Sequence, residues 1–171
     1  MIRFPLKAAA LSLVMATGAF AGEQYVDRTG YAVSGYDVVS YFDLPQAALG
    51  QPQPTPAKGL KQFTATYNGA SFAFASAANR DRFLADPAAF APQYDGHCAY
   101  SVAKGGKVPG NPNLWRIVDG KLYLNITDRV VGFWEEDIPG NITLAEGKWG
   151  GIEGAAASRD RIPGFRASVP D

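Results

Sequence analysis

The chain has 171 residues, with 16 Lys and Arg against 16 Asp and Glu, one histidine and one cysteine. That length can bury a substantial single core without disulfides or metal to hold it together, and a lone cysteine excludes an intrachain disulfide framework. Balanced charge with no Lys/Arg cluster excludes the basic footprint of a nucleic-acid binder or of a protein held on an anionic membrane.

Residues 1–21 have the pattern of a cleavable export signal. Arg3 and Lys7 precede the apolar run Ala8 to Val14, and Ala19 and Ala21 flank Phe20 as an A-x-A cleavage site. Thr17 and Gly18 interrupt the run well short of the roughly 18 apolar residues that a membrane span needs. Cleavage after Ala21 predicts a periplasmic or secreted chain that begins at Gly22, with no stable membrane anchor. The signal takes Arg3 and Lys7 with it, so the mature net charge is about −2.

Gly35 breaks the chain ahead of a short apolar-periodic turn, and Asp37 to Tyr41 is expected to be a short helix. Leu44 to Lys61 follows as a surface loop, because Pro52, Pro54 and Pro56 permit neither a helix nor a central strand. Asn68-Gly69 then joins the strands Gln62 to Tyr67 and Ala70 to Ala75, since this dipeptide readily supplies the positive φ angles of a two-residue hairpin turn. Phe63, Ala65 and Tyr67 alternate on the first strand and Phe72 and Phe74 on the second, which predicts one buried aromatic face.

A helix is expected from Ala77 to Ala85, ended by Asp86-Pro87, with a shorter one carrying Phe90 up to Pro92. The second hairpin, Leu114 to Val118 and Lys121 to Asn125, turns at Asp119-Gly120. Thr127 caps a helix running to about Asp137, and Pro139 starts another towards Trp149. The fold class is therefore α+β: a small antiparallel sheet built from two β-hairpins, with several short helices packed on it. One domain is expected over 22–152 and a loosely ordered tail over 153–171, with no internal repeat beyond the two hairpins. The Asn-Ile-Thr tripeptides at Asn125 and Asn141 suit a strand end and a helix cap.

The chemistry concentrates in Gln93 to Gly105, where the only histidine, His97, adjoins the only cysteine, Cys98. Ala99 to Ala103 is expected to continue as a helix, which puts Cys98 in its first turn and predicts a lowered thiol pKa. One reading is a soft-metal site, copper first, held by Cys98 and His97 with a third ligand such as Asp37. Structural zinc needs more N/S ligands than these. A second reading is thiol redox chemistry, with Cys98 forming a transient mixed disulfide with a protein partner. A third is an inert core thiol in a non-catalytic protein-interaction domain. Direct Cys–His catalysis is disfavoured, because adjacent residues diverge by about 100° on a helix. Tyr36, Tyr41, Tyr94, Tyr100 and Trp115 could line a ligand pocket, though burial tendencies favour a place in the core.

The blocks GYDVVSYF (Gly35 to Phe42), FTATYNGASFAFASAANRDRFLADPAAFAPQYDGHCAYSVAKG (Phe63 to Gly105) and NPNLWRIVDGKLYLN (Asn111 to Asn125) resemble the stand-alone, exported branch of the YHS-domain family. The likeness spans roughly residues 31 to 150. It implies a domain type that also occurs in heavy-metal transporting ATPases and some oxygenases and is often suspected of binding metal. The matching positions are Asp37, Tyr41, Tyr94, Gly96 and Cys98. His97 stands where such relatives more usually show an aromatic residue, and the paired cysteines of metal-binding relatives are absent. The reading adopted is an exported binding module rather than an enzyme, for a transition metal, copper first, held by Cys98 with His97 and Asp37, and so few ligands make a homodimer one way to complete a shared site; the redox thiol and the protein-interaction domain with an inert cysteine are the alternatives.

Overall fold

A computed structural model describes residues 22–171, and the expected export signal lies outside the described residues. β1 (Leu60–Tyr67) pairs antiparallel with β2 (Ala70–Phe74), and β3 (Asn111–Val118) with β4 (Lys121–Asn125). Both turns take the expected form: Asn68 and Gly69 have φ of 46° and 75°, Asp119 and Gly120 of 50° and 72°. Two successive positive φ angles match the right-handed twist of the flanking strands.

The fold class is as expected, with one correction. The hairpins do not join one sheet; each remains two-stranded. The reason lies at their outer edges. Ala32 donates to the Ser71 carbonyl of β2, and Cys98 forms a parallel bridge with Leu124 of β4. Irregular segments thus occupy the outer edges of β2 and β4 and keep either strand from pairing there with the other hairpin.

The helices are α1 (Ala77–Ala85), α2 (Pro87–Phe90), α3 (Ala99–Ala103), α4 (Asp128–Glu135) and α5 (Ile138–Ile152). Their starts follow the capping residues. Ser76, Asp86, Thr127 and Asp137 each accept a backbone N–H three residues on. The helix expected over Asp37 to Tyr41 is instead a 3₁₀ turn at Ser40–Asp43. Asp37 stands ahead of it, and its carboxylate is engaged by neighbouring backbone and side-chain donors.

An internal duplication overturns the expectation of no repeat. In each half a left-handed 3₁₀ turn (Val33–Gly35, Gln93–Gly96) leads into an antiparallel bridge, Tyr36 with Lys58 and His97 with Pro109. Gly59 donates to Gly35 and Gly110 to Gly96, both at 2.9 Å. Each half continues with a hairpin whose register breaks near its start, between Leu60 and Thr64 and between Asn111 and Trp115. Two capped helices follow in each. Ser76 and Thr127, like Asp86 and Asp137, stand 51 residues apart, whereas Tyr36 and His97, like Asp37 and Cys98, stand 61 apart. The difference falls in the proline-rich loop of the first half, which hides the repeat from a fixed-period search.

The halves share one interior. Phe72, Phe74, Phe83, Tyr41 and Val39 form the first core together with Leu122 and Leu124 of β4. Between those leucines, Tyr123 points the other way, into a second core with Trp134, Val102 and Ala145. Strand alternation places β4 between the two cores, so its last four residues are buried on both faces.

The proline-rich segment is the expected surface loop, and it is tied down. Trp115 Nε1 donates to the Pro54 carbonyl at 3.0 Å, and Arg116 donates to the Ala47 carbonyl while pairing with Glu135. Residues 153–171 lack helix and strand, yet they are docked rather than loose. Ile162 is buried, Phe165 packs on the first core and Lys61 N–H donates to the Asp171 carbonyl at 2.8 Å. Backbone hydrogen bonds and a few apolar anchors fix a segment whose Gly- and Pro-rich composition suggested mobility. Among the described residues, no helix is long and apolar enough to cross a membrane.

Candidate functional site

The left-handed turn Tyr94-Asp95-Gly96, with φ of 55°, 54° and 77°, brings His97 and Cys98 into the interior. This conformation costs a non-glycine residue roughly 1–2 kcal/mol. Hydrogen bonds offset that cost: His97 N–H donates to the Tyr94 carbonyl, and Tyr25 N–H to the Asp95 carbonyl.

His97 is fully buried with both ring nitrogens engaged. Nδ1 lies 2.9 Å from the Tyr94 carbonyl, so it carries the proton; Nε2 accepts the Ser158 backbone N–H at 3.1 Å. Tyr25 meets the ring edge-on at 6.0 Å between centroids. Burial pushes the His97 pKa down to about 4, against a smaller upward pull from the Tyr94 carbonyl. The ring is neutral at pH 7, with no nitrogen lone pair left for a metal.

Cys98 is also fully sealed. It is the N-cap of α3, and its thiol donates to Asn125 Oδ1 at 3.4 Å. Burial raises its pKa, and the backbone N–H groups of Ser101, Ile126 and Tyr100 oppose this more weakly. The expected lowering at a helix start is therefore overturned. Desolvation of a thiolate outweighs the dipole of a five-residue helix.

Asp37 occupies the position in the first half that Cys98 occupies in the second. Oδ1 accepts Val39 N–H at 2.9 Å, and Oδ2 accepts Ala75 N–H at 2.9 Å and Asn79 Nδ2 at 2.7 Å. The correspondence is close, since Val39 and Ala75 match Tyr100 and Ile126 under the 61- and 51-residue offsets. Asp37 and Cys98 thus stand at corresponding positions of the two halves, each close to the start of a short helical segment. Among the described residues, no group of three His, Cys, Asp or Glu side chains is placed to hold a metal ion. Both His97 ring nitrogens are engaged, Asp37 accepts three donors and Cys98 is enclosed.

The aromatic candidates divide between the two cores. Tyr36, Tyr41 and Trp115 belong to the first and Tyr94 to the second, while Tyr100 packs against the second and stacks on Phe133. Tyr41 closes its own hydrogen bond internally, donating to the Pro112 carbonyl at 2.9 Å.

A surface feature that sequence reading missed lies just outside His97. Residues Tyr25–Arg28 and Ser158–Ala167 border a cleft of about 590 Å³. It is lined by four arginines, Arg28, Arg159, Arg161 and Arg166, all exposed, against two acids, Asp27 and Asp160. Asp27 Oδ1 accepts the Thr29 N–H, and Asp160 Oδ2 accepts the Ser158 hydroxyl. Among the described residues, none of the four arginines forms a salt bridge. Ser158 lines this cleft with the same backbone that His97 holds, and Tyr25 lies between cleft and imidazole. The available signal was Arg159-Asp160-Arg161 followed by Arg166 in the presumed tail. Arg28 is brought to it only by folding.

No protein-family model, curated protein or solved structure matches this chain.

Proposed function

We propose that this protein is a non-catalytic binding domain acting outside the cytoplasm. His97 and Cys98 serve its architecture, and the arginine-lined cleft takes an acidic peptide segment of a protein partner. The observation that carries this reading is the burial of the chain's only histidine and only cysteine. Thiol exchange and soft-metal capture both need an accessible thiolate, and this thiol is enclosed with its pKa raised. The four arginines without a carboxylate partner, in contrast, face solvent. Guanidinium groups match carboxylates in geometry and keep their charge at every physiological pH. The resemblance of the residue blocks quoted above to exported YHS-domain proteins would fit a binding role.

The test is titration of the chain from Gly22 with a fluorescent oligoglutamate peptide at low salt, beside an Arg159→Ala/Arg161→Ala variant. The reading expects micromolar binding that weakens about tenfold in the variant and falls steeply as salt is raised towards about 0.5 M. Equal binding by both proteins contradicts the cleft assignment. A parallel Cu(I) titration should give the same weak binding for wild type and Cys98→Ser. Stoichiometric uptake lost with Cys98→Ser would return the site to metal chemistry.

A further inference from the structure

Gly22, the residue that follows the A-x-A pattern, is buried although it stands at the edge of the described chain. Its backbone N–H donates to Glu153 Oε1 at 3.2 Å. A Cβ added here would collide with Asp95 Oδ2 and would lie 2.7 Å from the Glu153 carbonyl oxygen and 2.8 Å from Glu153 Cγ. No side chain fits at this position.

Asp95 supplies an independent observation. It is only 8 % exposed; its Oδ1 accepts Gln24 Nε2 at 2.7 Å, while its Oδ2 is buried with no donor among the described residues. A carboxylate oxygen enclosed without a donor is costly, and proteins rarely leave one so. Gly22 stands beside this oxygen: a Cβ built on it would lie between Asp95 Oδ2 and Glu153. An internal Gly22 offers a single amide N–H, which Glu153 takes. A chain-terminal Gly22 offers three N–H groups and a positive charge.

We infer that the α-ammonium of Gly22, released by cleavage after Ala21, docks between Asp95 and Glu153 and completes the processed fold. Cleavage by an export-route signal peptidase adds one water across the Ala21–Gly22 peptide bond. The carboxylate leaves on Ala21, and the new amine on Gly22 takes a proton from solvent. The ammonium keeps its hydrogen bond to Glu153 and gives Asp95 Oδ2 the partner it lacks. The consequence reaches the interior, because Asp95 belongs to the left-handed turn that delivers His97 and Cys98, and its carbonyl accepts Tyr25 N–H. The inference does not depend on the arginine cleft or on any ligand.

The experiment compares two chains that differ by one residue, one beginning at Gly22 and one at Ala21. The longer chain retains every Gly22 contact made as an amide but carries its charge elsewhere. The Gly22 chain is expected to melt higher by at least about 3 °C. Asp95→Asn should shrink that gap to within about 1 °C, as a double-mutant cycle requires of a direct partner. Should Asp95→Asn not fold, Glu153→Gln makes the same comparison from the other side of the pocket. Equal melting of the two chains, or a gap that survives the substitution, overturns the inference. So does an exported protein whose first residue, by mass spectrometry, is not Gly22.

Discussion

Burial sets the chemistry of His97, and its sign can be worked out. Its pKa is about 4 when folded, against roughly 6.5 in an unfolded chain. Between those values the unfolded chain binds a proton that the folded chain refuses. The contribution to stability is complete above about pH 6.5, declines as pH falls towards 4 and is gone below it. Its size is on the order of 3 kcal/mol at one unit per 1.4 kcal/mol. Urea unfolding at pH 7.5 and pH 4.5 should show this loss in wild type and a much smaller one in His97→Gln, whose amide can still donate and accept. The single histidine also permits an NMR check, in which the ring should titrate near pH 4. A midpoint near 6.5 would contradict the burial account. The sequence could show that His97 and Cys98 are adjacent and that Cys98 begins a helix. It could not show their enclosure, which comes from Ser158 and Tyr25, far away in the chain.

At the scale of elements, signals carried by neighbouring residues were legible and those carried by distant ones were not. Asn68-Gly69 and Asp119-Gly120 announce their turns because few other pairs tolerate two positive φ angles, and Thr127 announces a helix start through its own side chain, whereas Asp137, expected at the end of that helix, caps the next one. The left-handed turn at Tyr94-Asp95-Gly96 went unread: Asp95-Gly96 is again a pair that tolerates two positive φ angles, but no alternating strands flank it, Tyr94 does not favour the conformation, and tertiary hydrogen bonds hold it. The same limit hid the equivalence of Asp37 and Cys98, one acidic and one a thiol, each serving its half of the repeat. That equivalence predicts unequal costs. Asp37→Ala leaves three donors without their acceptor and should destabilise by about 3 kcal/mol or more. Cys98→Ala removes one small buried group and should cost about 1–2 kcal/mol. Chemical denaturation of both variants checks the order. A Cys98→Ala cost exceeding that of Asp37→Ala would contradict the assignment of the stronger hydrogen-bond anchor to Asp37.

The whole molecule is two copies of one unit fused around β4, whose Leu122 and Leu124 serve one core and Tyr123 the other. The α+β class and both hairpins were legible, but their separation into two sheets was not, since edge occupancy by Ala32 and Cys98 is a tertiary fact. The arginine cleft was out of reach for the same reason, being built where the first and last described segments meet. Sharing a core through β4 implies that the two halves unfold together, and Cys98, placed where they join, can report it. The most direct measurement is therefore the rate of Cys98 modification by a thiol reagent at neutral pH, followed through low and intermediate urea. The account predicts negligible labelling of the native protein, with a rate that rises in urea along the slope of global unfolding. Labelling of the native protein at the speed of a free thiol, independent of urea, would contradict the claim that this cysteine is a sealed part of the architecture.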